Sequence, residues 1–263
     1  MISFVGAGPG APDLITLRGR DRLAAADIVI WASSLVPAEL LGHARLDVVV
    51  HDSAGMTLED VLAVYAANRD AVIVRLHSGD PSLYGAIQEQ IDWCITEGLP
   101  YDVVPGVSSL GAAAAVLGRE LTVPQIAQSV VLTRLAGRTA SSMPTGQTVA
   151  DYAAHGATLA AFLSGARPAE LQAELLGASS AYTVETPAAI VVRATWSDQQ
   201  VVRTTVGNLA DALEATGART TALVLVGPAL AEGPVARSQL YSPSFAHGRR
   251  RVSRPGTTSG RPA

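Results

Sequence analysis

The chain has 263 residues, 48% of them hydrophobic and 16% charged, which excludes disordered and fibrous classes and leaves core enough for one large or two modest domains. All 19 basic residues are Arg, against 23 acids, so a Walker-type phosphate loop, a Schiff-base lysine and a Ser-Lys nucleophile pair are excluded together. Cys94 is the one cysteine, which excludes an internal disulfide and argues against a thiolate metal site.

No apolar run reaches the roughly 20 residues of a membrane span. The chain opens on MISFVG, without a basic n-region or a cleavage site, so a cytoplasmic protein with no membrane partner is expected.

The first half alternates strand and helix. Apolar runs at 2–6 (ISFVG), 27–32 (DIVIWA), 47–51 (DVVVH), 71–76 (AVIVRL) and 101–105 (YDVVP) read as parallel strands buried on both faces. Thr57 and Asp60 predict a capping box before a helix. Asp80-Pro81 predicts an N-cap and first helical residue, opening a helix with Leu83, Ile87, Ile91 and Ile95 on one face. Cys94 lies beside that stripe and reads as a small buried hydrophobe. The Ala-rich segment 108–118 (SSLGAAAAVLG) predicts a helix suited to close packing.

After Leu121 to Pro124 the rhythm resets. Strands are expected at 128–134, 157–164, 187–195, 199–206 and 221–227, with a second capping box at Thr148 and Asp151. The short link WSDQ between 187–195 and 199–206 predicts a hairpin, hence a mixed second sheet. The expected fold is therefore α/β: a domain over 1–119 with a mainly parallel sheet, a domain over 120–241 with a mixed sheet, and an active-site cleft between them. The Arg/Ser/Pro-rich residues 242–263 read as a disordered tail. Five arginines fall in that tail, so the body carries 14 Arg against 23 acids, about −9, which argues against a nucleic-acid partner.

Gly6-Ala7-Gly8-Pro9-Gly10-Ala11 matches the dinucleotide fingerprint G-x-G-x-x-G/A. That reading requires a helix starting inside the glycines and an acid closing the second strand. The second strand instead ends Trp31-Ala32-Ser33-Ser34, and Pro9 and Pro12 remove two donors from the loop. On pattern alone a dinucleotide cradle and a plain strand-to-helix turn both stay open.

Five further blocks follow that loop in order, LHSGDPSLYGAIQEQ (76–90), VVPGVSSLGAAAA (103–115), ELTVPQIAQSVVLTRLAGRT (120–139), GATLAAFLS (156–164) and TPAAIVVRATW (186–196), and two variant segments, WASSLVP (31–37) and HDSAGMTLE (51–59), lie between the loop and the first of them. Together with the loop they resemble the tetrapyrrole C-methyltransferase family over roughly residues 2 to 230. The variant positions are similar to the members that methylate carbon 11 of precorrin-4, with or without cobalt.

The resemblance implies S-adenosyl-L-methionine as cofactor, S-adenosyl-L-homocysteine as product, a carboxylated tetrapyrrole as substrate and a homodimer. Carried over position by position, it implies cofactor contacts at Pro9, Ser78, Gly79, Asp80, Leu83, Ser108, Ser109, Leu163 and Ala194, with Thr221 and Ala222 approaching. Gly8 and Gly10 are then expected to turn backbone amides toward the substrate. Arg18 and Arg138 are candidate carboxylate partners, as are Arg119, Arg134 and Arg193.

Uroporphyrinogen-III methyltransferases of the family carry an Asp near Ala32 and a Lys near Asp52. This chain departs from them at both places, which leaves His51, Asp52 and His77 as candidate proton acceptors. His43, His155 and His247 lack the spacing of metal ligands, and no metal is expected. The remaining alternatives are a family member with another ring carbon or substrate, an NADP-linked oxidoreductase, and a non-catalytic ligand-binding module.

Overall fold

A computed structural model describes residues 1–234, 237–242 and 244–248; the side chains of 137–139 fall outside that description. Most of the expected tail, 249–263 with Pro243, therefore lies outside the described residues.

Two five-stranded sheets carry the fold. The first is wholly parallel, in the order β3-β2-β4-β1-β5, from β1 (Ile2–Gly6), β2 (Ile28–Trp31), β3 (Val49–Asp52), β4 (Ile73–His77) and β5 (Tyr101–Val104). The central strands β1, β2 and β4 are buried on both faces, as near-continuous Val/Ile runs require. The edge strands depart from that expectation: Val49 and Val50 of β3 are 53% and 41% exposed, and Val103 of β5 is 40% exposed. An apolar run does not announce whether its strand lies at the centre or at an edge.

The second sheet is mixed, in the order β6-β7-β10-β8-β9, from β6 (Val130–Arg134), β7 (Thr158–Phe162), β8 (Pro187–Val192), β9 (Gln200–Thr205) and β10 (Ala222–Val226). β6 and β7 are parallel, and β8 and β9 form the antiparallel hairpin read from WSDQ.

Seven α-helices cover the sheets among the described residues: α1 (Leu17–Ala24), α2 (Leu58–Ala67), α3 (Gln88–Thr96), α4 (Ser109–Leu117), α5 (Val149–Ala153), α6 (Pro168–Leu175) and α7 (Leu209–Ala215). Both capping boxes form, at Thr57 with Asp60 and Thr148 with Asp151, each contributing about 1 kcal/mol to its helix. Asp80 does not start a helix, contrary to expectation. Residues 81–87 form irregular turns with Tyr84 and Ala86 at positive φ, and α3 begins only at Gln88. Consequently Cys94 and Gln90 are the buried residues of α3, while Ile95 is 60% exposed.

The small face of α4 explains its composition. Ala112, Ala113 and Leu117 pack against Ala160, Ala189, Val191 and Leu225, so alanines on both sides let helix and sheet approach closely. That partner is the second sheet, so the packing of α4 does not follow the expected division at 119/120. Two arginines reinforce the contact: Arg203 donates to the Leu117 carbonyl at 2.6 Å, and Arg119 donates twice to that of Ala229.

Candidate functional site

The turns leaving β1, β4 and β5 meet at the carboxyl end of the parallel sheet, where open α/β sheets bind ligands. Glycine makes their approach possible. A Cβ on Gly106 would stand 2.1 Å from the Gly79 carbonyl oxygen, and one on Gly6 would stand 2.5 Å from Gly106 Cα. Gly8 and Gly79 exchange backbone hydrogen bonds of 3.2 and 2.8 Å, and Ala7 N–H donates to the His77 carbonyl. The expectation that this loop turns its amides to an anion therefore does not hold at Gly8, whose N–H is already bonded.

Gly10 has a different duty. A Cβ there would lie 2.2 Å from the Trp196 ring, and Trp196 Nε1 donates to the Pro9 carbonyl at 3.0 Å. Ala11 N–H donates to Thr195 Oγ1 at 2.9 Å, so the opening loop is clasped by the β8–β9 link. The loop leads into a 3-10 turn at Pro12–Leu14, and α1 starts at Leu17 with Thr16 as its cap. No helix begins inside the glycines, which removes the geometry that a dinucleotide fingerprint needs.

A cavity of about 310 Å³ lies between these turns and the second sheet. From the first side Pro9, Ser78, Gly79, Asp80, Leu83, Ser108 and Ser109 line it. Leu163, Arg193, Ala194, Thr221 and Ala222 line it from the second side. Leu163, Arg193 and Thr221 are left-handed at φ 52°, 47° and 53°, an uncommon state for such residues and one that marks strain beside a ligand site. Arg193 N–H donates to the Thr221 carbonyl at 2.8 Å, locking two of them together.

The polar groups are held firmly. Asp80 accepts from Gly106 N–H at 2.8 Å and from both the hydroxyl and the N–H of Ser82, tying the β4 turn to the β5 turn. Burial raises the Asp80 carboxyl, but these three bonds outweigh it and hold it below the usual range. Ser108 caps α4 by accepting from Leu110 N–H, so its side chain is partly spent.

The proton-acceptor candidates lie elsewhere. His51 and Asp52 sit on edge strand β3, outside the cavity lining. The Asp52 carboxylate accepts from the Ser33 hydroxyl, Ala54 N–H and Ser33 N–H, which lower it and make it a poor base. His77 is 7% exposed; burial first, then Arg75, brings it down to about 3, so it is neutral.

Among the candidate arginines whose side chains are described, Arg193 alone lines the cavity; it stands over the Trp196 ring and pairs with Asp198. Arg18 is exposed on α1, Arg119 is engaged with Ala229, and Arg134 holds the carbonyls of Leu135 and Ala136. The side chain of Arg138 lies outside the described residues.

Residues beyond the sequence candidates complete the lining, notably Leu35, Tyr84, Phe162, Trp196 and Arg219. Tyr84 meets Phe162 across the cleft with ring centroids 5.2 Å apart, and burial raises its phenol. None of these aromatics stands out in the sequence, although Tyr84, Phe162 and Trp196 all fall within blocks that carry the family resemblance. Among the described residues no three His, Cys, Asp or Glu gather as metal ligands, and no helix is long and apolar enough to cross a membrane.

Comparison with known proteins places this architecture. The chain is 44% identical over 249 residues to the precorrin-4 C(11)-methyltransferase of Pseudomonas aeruginosa, covering 94% of this chain and 97% of that one. It is 42% identical over 248 residues to the cobalt-precorrin-4 C(11)-methyltransferase of Methanocaldococcus jannaschii, covering 94% of each. The crystal structure of a cobalt precorrin-4 methyltransferase superposes with a TM-score of 0.83 at 40% identity, covering 88% of this chain and 96% of that one. Residues 1–210 match the family described as tetrapyrrole (corrin/porphyrin) methylases, and the chain belongs to that family.

Proposed function

We propose that this protein transfers a methyl group from S-adenosylmethionine to carbon 11 of precorrin-4, or of its cobalt-containing counterpart. The observation that carries the reading is the cavity between the sheets, to which both halves of the chain bring the positions that the family resemblance marks for the cofactor. Relatives named for this reaction match nearly the whole chain, which gives the regiochemistry.

The lining suits such a cofactor. Gly79 stands in the floor at φ 65°, a left-handed conformation that favours glycine. Small residues and backbone groups there leave room for a nucleoside, and the volume falls at the lower end of the usual ligand-site range. Bound in this cavity, S-adenosylmethionine supplies an electrophilic methyl group on a sulfonium whose departure needs no acid.

The chain's own task is then alignment and exclusion of water. Asp80 fixes the β4 turn to the β5 turn. Leu163 and Ala194 close the cavity from the second sheet, and Tyr84 with Phe162 bridges its edge. The cysteine is buried and free, in keeping with a reducing cytoplasm. A homodimer is the proposed working unit, tested by light scattering.

The deciding experiment supplies precorrin-4 and S-adenosylmethionine labelled with carbon-13 in the methyl group. The expected product is one methyl heavier, with the label at carbon 11. A label at another carbon would move the protein to a different step within the family. Binding of NADP in place of S-adenosylhomocysteine would overturn the reading.

A further inference from the structure

Arg75 stands out among the cations of the first sheet. It lies on the central strand β4, in register with Phe4 of β1 and Ile30 of β2. On that face it is surrounded by apolar side chains, Phe4, Ile30 and Tyr65 among them. Its Nη1 donates to Ser53 Oγ at 2.9 Å and, at 3.4 Å, to the Ile30 carbonyl. Its Nε is buried and has no partner.

No described carboxylate pairs with it. The nearby acid Asp52 gives its carboxylate to Ser33 and Ala54 instead. His77, on the same face two residues along, is neutral and also has an unpartnered Nε2. A guanidinium stays protonated under these conditions, and an unpaired buried charge is expensive to keep.

The rest of the geometry shows where its partner can come from. The backbone of β4 is paired on both sides and Nε is sealed, while Arg75 as a residue is partly exposed. Ser53 begins the turn that leaves β3, so its bond to Arg75 draws the guanidinium toward the carboxyl end of the sheet, beside the cavity whose lining includes neither residue. The Ser53 hydroxyl is itself fixed by donating to the Trp31 carbonyl at 2.9 Å.

We infer that Arg75 is a carboxylate-binding residue of the substrate side of the cleft, holding one acidic side chain of the macrocycle through a charge-assisted hydrogen bond. The inference rests on the tetrapyrrole reading. It assigns Arg75 to substrate recognition and leaves the methyl donor to the other turns.

The test measures binding of a stable carboxylated tetrapyrrole, and of the same compound with its carboxylates esterified, by quenching of tryptophan fluorescence. S-adenosylhomocysteine binding is followed by calorimetry. In Arg75→Gln the acid should bind about tenfold or more weakly, the ester should lose far less, and S-adenosylhomocysteine affinity should be unchanged. Arg75→Lys keeps the charge without the planar fork and should fall between; it carries the same comparison if the Gln variant fails to fold. Equal loss for acid and ester, or none for either, would overturn the assignment. So would a wild-type protein that binds the ester as tightly as the acid. A wild-type protein that binds neither would instead count against the tetrapyrrole reading.

Discussion

Trp196 lays its indole on Gly10 and donates to the carbonyl of Pro9 at 3.0 Å, joining the first loop of the chain to the β8–β9 link. The two partners are separated by 187 positions in sequence and together close one side of the cavity. Gly10→Ala places a Cβ 2.2 Å from the ring, so the indole must swing away. A destabilisation of about 1–3 kcal/mol is expected from such overpacking, with weaker S-adenosylhomocysteine binding. Trp196→Phe should lose about 1 kcal/mol, since only the hydrogen bond and part of the stacking go. Thermal melts and calorimetry read both effects; a Gly10→Ala protein as stable as wild type would mean the ring has room to move.

Asp80 gives a prediction with a sign in pH. Its carboxyl is lowered in the folded protein, so it contributes stability above the unfolded value near 3.9 and loses it as pH falls through the folded value. Asp80→Ala leaves Gly106 N–H without its acceptor and frees the β4 turn from the β5 turn. About 1.5–3 kcal/mol of stability should go, with about tenfold weaker cofactor binding. The stability deficit should shrink at acid pH, where the wild-type carboxylate is itself protonated. Melting series between pH 3 and 7 test this; a deficit that stays constant would place the effect in packing.

The blocks that marked the cofactor positions were legible because each is a short turn whose residues are close in sequence. Ser78-Gly79-Asp80 and Ser108-Ser109 are of this kind, and both line the cavity. The aromatic rim was not, because Tyr84, Phe162 and Trp196 come from separate connections that meet only on folding. The start of α3 failed for a related reason. Asp80-Pro81 is good helix-opening chemistry, but Asp80 spends its carboxylate on Gly106, and Tyr84 and Ala86 are left-handed. The parallel and mixed sheets were readable from run length and from the hairpin link, whereas strand order and exposed edges depend on tertiary pairing. Gly10 looked like part of a phosphate loop because pattern alone cannot show the indole it makes room for.

His77 supplies a slope of stability with pH. With its folded value brought down to about 3, the unfolded chain binds the extra proton between roughly pH 6.5 and 3, so stability falls as pH falls through that window. At pH 5 the contribution is on the order of 2 kcal/mol. A neutral replacement, His77→Gln, should therefore be relatively more stable, compared with wild type, at pH 5 than at pH 8. Urea midpoints at the two values measure the difference. An identical difference at both would show that His77 titrates normally and is solvated.

Leu163 tests whether strain is kept at the cavity for function. It follows β7 at φ 52° with its side chain 71% exposed, so it contributes little to the core and pays a backbone penalty of about 1–2 kcal/mol. Leu163→Gly relieves that penalty, and greater freedom of the unfolded chain takes back roughly 0.5–1 kcal/mol. The net expectation is a protein more stable by about 0.5–1 kcal/mol, with a melting point higher by a few degrees. The same change removes an apolar wall of the cavity, so S-adenosylhomocysteine should bind more weakly. Calorimetry and melting of one variant thus read opposite signs. A Gly variant that is less stable would mean the leucine's contacts outweigh its backbone strain, and one that binds the cofactor normally would remove Leu163 from the site.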